Sequence, residues 1–133
     1  MSSTRWIAAA LVVGAAVLGA CGGGGSEDRA IARVGGACDA IGVAHRDLLA
    51  PEHLTFADLL RDDPWTVTER DAVAAVRVLA PTADPGRFGP LLDHLAARHR
   101  ALVDGSDEPA PPSDRLRRLA RELDEAIEAG ACA

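Results

Sequence analysis

Between Asp28 and Ala50 the apolar residues Ile31, Val34, Cys38, Ile41, Leu48 and Leu49 recur at steps of three and four. That spacing belongs to one face of an amphipathic helix, and His45 falls inside the same face. Gly35, Gly36 and Gly42 interrupt the pattern. Each weakens a helix by up to about 1 kcal/mol relative to Ala, so the stretch is expected either to break near Gly35 or to receive another backbone at close range. Pro51 ends it, because the residue before a proline is pushed away from helical geometry.

Leu54 to Arg61 reads as one or two helical turns around Phe56, Leu59 and Leu60, closed by Asp62-Asp63-Pro64. Thr68 then offers an N-cap, with Glu69 and Asp71 where the helix dipole favours negative charge. The helix it would start runs to Ala80, with Ala72, Val73, Ala75, Val76 and Leu79 inward and Arg70, Asp71 and Arg77 outward. Trp65, just before the cap, reads as a packing plug over the helix start. Pro90 suits a first helical position and opens a helix through Val103. Its apolar face is Leu91, Leu92, Leu95, Ala96, Leu102 and Val103, with His99 in the middle, and Asp104-Gly105 stops it.

Residues 106–112 are acidic and proline-rich, an extended connector. Ser113 caps a last helix whose Leu116, Leu119, Leu123 and Ile127 make a narrow apolar stripe, ended by Gly130. Its polar face places Arg115, Arg117, Arg118 and Arg121 first, then Glu122, Asp124, Glu125 and Glu128. Both blocks oppose the macrodipole, so this helix depends on packing. No stretch alternates as a strand would. The expected fold is all-α, a small antiparallel helical bundle of about four longer helices plus a short one.

Ahead of this region the pattern changes character. Met1 to Trp6 carries one positive charge, Arg5, and no acid, and an unbroken small and apolar run follows from Ile7 to Ala20. This is a signal-peptide profile, and the run is shorter than the roughly 20 residues that span a bilayer as a helix. At its end stands Leu18-Gly19-Ala20-Cys21, a branched apolar residue, two small residues and a cysteine. This resembles the lipobox of bacterial lipoproteins. The resemblance covers residues 1–21 alone and implies nothing about the rest of the chain. It implies a thioether-linked diacylglycerol on Cys21 and cleavage by signal peptidase II between Ala20 and Cys21, with Leu18, Gly19 and Ala20 as the recognised residues. Two or more acyl chains, at about 0.8 kcal/mol per buried methylene, give durable anchoring. The expected organisation is therefore a signal peptide at 1–20, a lipidated cysteine and glycine-rich tether at 21–28, and the helical-bundle domain at 29–133. The domain would stand on the extracytoplasmic face of a membrane, held there by lipid.

Lipidation of Cys21 would leave Cys38 and Cys132 in an oxidising setting where a disulfide persists. In the chain-entropy model, closing a loop of roughly 100 residues restricts the unfolded state by about 4.7 kcal/mol.

Composition narrows the function further. The chain has 14 arginines and no lysine against 20 acidic residues, a net charge of −6. Such a balance argues against nucleic acid, which requires a basic footprint, and against attachment to anionic lipid headgroups. Beyond the leader the only aromatic residues are Phe56, Trp65 and Phe88, too few for an aromatic-lined cleft. There is no metalloprotease His-Glu-x-x-His, no nucleophile elbow, no phosphate-binding glycine loop and no closely spaced cysteine pair. Nor do the scattered carboxylates suggest a paired acid and base. His45-Arg46-Asp47-Leu48 matches the start of a protein-kinase catalytic loop only by coincidence, since the glycine-rich loop and the following Asn are missing. Neither an enzyme nor a resident cofactor is expected.

His45 and His99 are the polar residues that fall centrally on apolar faces. They read either as neutral core histidines or, if the first and fourth helices pack together, as a two-histidine metal or haem site or a pH-sensitive joint. The functional expectation is a non-enzymatic interaction or adaptor module at the cell envelope, with an envelope protein as partner. The alternative is a small-ligand or metal carrier using His45 and His99.

Overall fold

The computed structural model describes residue 29 and residues 31–132. Among these the secondary structure is helical throughout, with no strand. The four principal helices are α1 (Cys38–Val43), α2 (Val67–Leu79), α3 (Gly89–Asp104) and α4 (Asp114–Glu128). No helix among the described residues is long and apolar enough to cross a membrane. The all-α bundle expected from the periodicity is the fold observed.

The first amphipathic stretch forms one irregular helical rod. Residues 31–34 are helical, a 3₁₀ turn follows at Gly35–Ala37, and α1 then runs into a π-helical turn at Ala44–Leu49 and a 3₁₀ turn at Ala50–Glu52. The break at Gly35 has a direct cause: its φ is +77°, a left-handed conformation that glycine alone adopts without cost. The close approach expected near these glycines is also present. A Cβ on Gly35 would lie 2.7 Å from the Asp84 carbonyl oxygen and 2.7 Å from the Gly86 nitrogen, and Ala37 N–H donates to that same carbonyl at 3.1 Å. At the other end Pro51 stands within the last turn. A proline ring crowds the carbonyl four residues earlier, and the widened π turn just ahead of it relieves that crowding, with Ala50 N–H donating to His45 O. The rod closes at His53 in a left-handed conformation, φ 57°.

The core gathers one face from every element. Val34, Ile41 and Leu49 come from the rod, Phe56 and Leu59 from the 3₁₀ segment around Ala57–Leu60, Phe88 and Leu91 from the start of α3, and Leu123 from α4; all are essentially fully buried. Trp65 is buried as expected, and its indole N–H donates to Leu59 O at 2.8 Å. α2 packs mainly against the Ala44–Leu49 turn and α1, and α4 lies against the Ala57–Leu60 turn and α3.

Three expectations need correction. The N-cap of α2 is Thr66, not Thr68. Thr66 Oγ1 accepts from Glu69 N–H at 3.2 Å and Glu69 Oε1 accepts from Thr66 N–H at 3.1 Å, a reciprocal capping box. Thr68 donates instead to Glu52 Oε1 at 2.9 Å, and Glu69 is turned into the protein, 2 % exposed. Leu79, Leu102 and Val103 were expected inside, yet they are exposed together with Val78, because the last turns of α2 and α3 run past the core. Asp124, expected on the outer face of α4, is half-buried. It accepts from Phe56 N–H at 2.8 Å and Ala57 N–H at 3.1 Å, capping the short 3₁₀ turn from a distant helix.

Candidate functional site

The end of α4 shows how the local sequence builds the clamp between the two ends of the domain. Gly130 takes φ 99°; its N–H donates to Ile127 O and that of Ala131 to Ala126 O, both at 3.0 Å. This is the hydrogen-bond pattern of a Schellman cap, and it turns the chain back over the bundle. Cys132 follows in a left-handed conformation, φ 63°, and bonds to Cys38 at the first position of α1, with Cα atoms 5.0 Å apart and a sequence separation of 94. The terminal strip then lies on the rod where a side chain is missing. A Cβ on Gly42 would overlap the Cys132 carbonyl oxygen. Of the sequence-derived sites, this pair is the one found joined. Leu18, Gly19, Ala20 and Cys21 lie outside the described residues.

His45 and His99 have different surroundings. His99, half-buried on α3, accepts at Nδ1 from the Arg77 guanidinium at 2.6 Å, since a guanidinium has donors only. Its pKa is held below the ordinary imidazole value by burial first, then by Arg77 and Arg70, with Asp104 opposing. His45, half-buried on the π turn, instead lies in the field of Asp124 on α4. Burial raises the Asp124 carboxyl above its ordinary value, against the lowering effect of the Phe56 and Ala57 N–H groups and of His45. Among the described residues no three His, Cys, Asp or Glu side chains are grouped so as to hold a metal ion. Arg77, assigned to an outer face from sequence, is thus the hydrogen-bond partner of His99.

A second organised region lies where the chain passes from Leu59 to Trp65. Arg98 of α3 reaches over it, donating to Leu59 O and Arg61 O at 3.0 Å each and to Asp63 O at 2.7 Å. Its guanidinium sits 4.4 Å from the Trp65 ring centroid, within cation–π range. Burial and Arg98 together lower the pKa of neighbouring His94. Two open grooves flank this loop. One, of about 500 Å³, lies between Arg61, Asp62 and Asp63 and the Arg117 and Arg121 side of α4. The other, of about 300 Å³, lies between Trp65, His94 and Arg98 and the connector prolines Pro109, Pro111 and Pro112. Both present charges of each sign to solvent.

On α4 the two charge blocks remain largely outside. Arg117 pairs with Asp114 at 3.3 Å and Glu122 with Arg87 at 2.6 Å. Arg115, Arg118, Arg121, Glu125 and Glu128 are exposed. Compared with known proteins, the chain matches no protein-family model, no curated protein and no solved structure.

Proposed function

We propose that this chain is a lipid-anchored, extracytoplasmic protein that serves as a non-enzymatic interaction module at the cell envelope. The observation that carries the reading is Leu18-Gly19-Ala20-Cys21 at the end of an apolar leader. The Cys38–Cys132 disulfide supports it in two ways. Disulfides form and persist in the oxidising setting of exported proteins, and this one takes up both other cysteines, leaving Cys21 as the thiol available for lipid. The acidic balance of the chain leaves membrane attachment to that lipid, because anionic headgroups would repel the domain as a whole. The open, charge-lined surfaces around Arg98 and α4 support contact with another macromolecule over the enclosure of a small substrate.

The test is the intact mass of the protein extracted with detergent from the membranes of a bacterium expressing the full chain. The expected species begins at Cys21, lacks residues 1–20 and carries a diacylglycerol. A free thiol at Cys21, or a mature terminus elsewhere, refutes the reading.

A further inference from the structure

Among the described residues the exposed large apolar side chains fall into two groups, at opposite ends of the bundle. α2 runs antiparallel to the rod. Its start is tied to the rod's end by Thr68 and Glu52, 2.9 Å apart, and the loop that leaves it packs on the rod's start. There a Cβ on Gly36 would lie 3.8 Å from the Ala83 Cβ, and Ala37 N–H donates to Asp84 O. Val78 and Leu79, 75 % and 57 % exposed, therefore stand at the pole where the rod begins, as does exposed Ile31. Val67, Leu102 and Val103 are exposed at the other pole. Val67 opens α2 beside Thr68, and Leu102 borders the groove with Pro64 and Trp65.

We propose that the pole where the rod begins rests on a lipid bilayer, with Val78 and Leu79 entering the boundary between headgroups and acyl chains. The inference rests on the lipid-anchored reading above, because the chain ahead of the rod selects the occupant. Arg29 follows Cys21 by eight residues, a path of at most about 28 Å when fully extended. The rod from residue 31 to residue 52 is itself about 30 Å long at 1.5 Å per residue. Turning the far pole to the bilayer would lift Arg29 by that length, beyond what the tether spans. Of the two apolar groups, the one beside Ile31 is thus the one that the tether holds against lipid.

Charge favours the same pole. Residues 29–37 and 77–88 carry Arg29, Arg33, Arg77 and Arg87 against one acid, Asp84, in a chain of net charge −6. Glu122 reaches in from α4 to pair with Arg87 at 2.6 Å, and Asp39 follows on α1. The acidic excess of the chain therefore lies away from this end, and repulsion by anionic headgroups is least here. Arginine stems can lie along an apolar contact while their guanidinium groups stay at headgroup level. Two or three apolar side chains are too few to recruit a free domain. A short tether makes their contact intramolecular and raises the effective concentration of the surface.

The test uses the full chain, expressed in a bacterium, extracted with detergent and reconstituted into protein-free vesicles with a minority of anionic lipid. The vesicles are made with plain or with brominated acyl chains, which quench tryptophan on contact. Trp6 leaves with residues 1–20 in the processed chain and Trp65 is buried, so the parent protein supplies the background. Leu79→Trp and, separately, Val78→Trp place an indole at the proposed contact, and Val103→Trp places one at the far pole. All three positions are exposed, where substitutions leave the fold intact. At a depth of about 5–10 Å, the Leu79→Trp and Val78→Trp indoles should lose at least about half their emission in brominated vesicles, while Val103→Trp loses no more than the parent. Quenching of neither beyond that of Val103→Trp overturns the proposal. The intact mass at Cys21 is read from the same sample. A chain without the diacylglycerol takes the docking down with the anchored reading; a chain that carries it and stays unquenched refutes the docking alone.

Discussion

Gly42→Ala has opposite expected effects in the oxidised and reduced protein, and the difference measures how firmly the terminal strip is held. In an isolated helix the change is favourable by about 0.8–1.0 kcal/mol, the propensity difference between Ala and Gly. In the folded protein the added methyl would overlap the backbone carbonyl oxygen of Cys132 and come to 3.2 Å from that residue's Cβ. A backbone atom cannot swing aside as the end of a long side chain can, and Cys132 is bonded to Cys38 on the same rod. Overpacking of this kind costs about 1–3 kcal/mol, so the oxidised variant should be no more stable than the parent and as much as about 2 kcal/mol less stable. Once the disulfide is reduced, the last residues can lift off while Ala131, buried beneath them, stays in place. The steric cost then disappears and Gly42→Ala should stabilise by up to about 1 kcal/mol. The assay is urea unfolding of parent and variant, each with and without reductant, read as a double-mutant cycle. The expected coupling is about 1–3 kcal/mol, within the range seen for residues in contact. A variant stabilised equally in both redox states would show that the strip does not bear on Gly42 and would refute the reasoning.

Thr66→Ala should lower stability by about 1 kcal/mol, the ordinary cost of losing an N-cap, while Thr68→Ala, which removes one exposed bond to Glu52, should cost a few tenths; thermal unfolding of the two separates them. Asp124→Ala leaves the Phe56 and Ala57 N–H groups without their acceptor and should cost about 1–3 kcal/mol. Because burial raises the Asp124 pKa, the stability this group contributes is complete below the ordinary carboxylate pKa of about 3.9 and is lost as pH rises through the raised value. Asp124→Asn should therefore flatten the stability profile just above pH 4, as denaturant midpoints across pH would report. His99 has the reverse sign: its pKa is lowered, so its contribution is complete above the ordinary imidazole value of about 6.5 and is lost as pH falls through the depressed one. Proton resonance titration of the His99 ring should give a midpoint below that of an unfolded peptide, and Arg77→Gln should move it upward.

Periodicity alone was enough to read the helical class, the principal core positions and the Ser113 and Gly130 ends of α4, because each depends on interactions within a few residues. The capping box was also present in the sequence, as Thr66 followed three residues later by Glu69, but Thr68 offered a second hydroxyl close by. Only the turn of the Thr66 backbone to ψ 168° decides between them. Asp124 was not readable, because its acceptors serve N–H groups 67 and 68 positions away and no local pattern marks a carboxylate that caps another element. His99 was found for a sound reason, its place on an apolar face, but the partner that defines it is Arg77, a residue of another helix that had been assigned to solvent. Exposure of Leu102 and Val103 has the same origin: helical spacing tells which face is apolar, not how far along the helix its neighbours reach.

The bond between Cys38 and Cys132 also makes most of the domain a covalent ring. α2, α3, α4 and the proline-rich connector all lie on its circumference, and the residues leading to the proposed anchor leave it near one pole. A single cut anywhere on that circumference, including the exposed 106–112 segment, would open the ring but not divide the molecule. A pull applied at α4 and resisted at the anchor would take the short route through Cys132 and the sulfur bridge to Cys38, so the helices on the long arc would be shielded from it. Reduction would remove that short route, and the same pull would then load every helix between Cys38 and α4 in series.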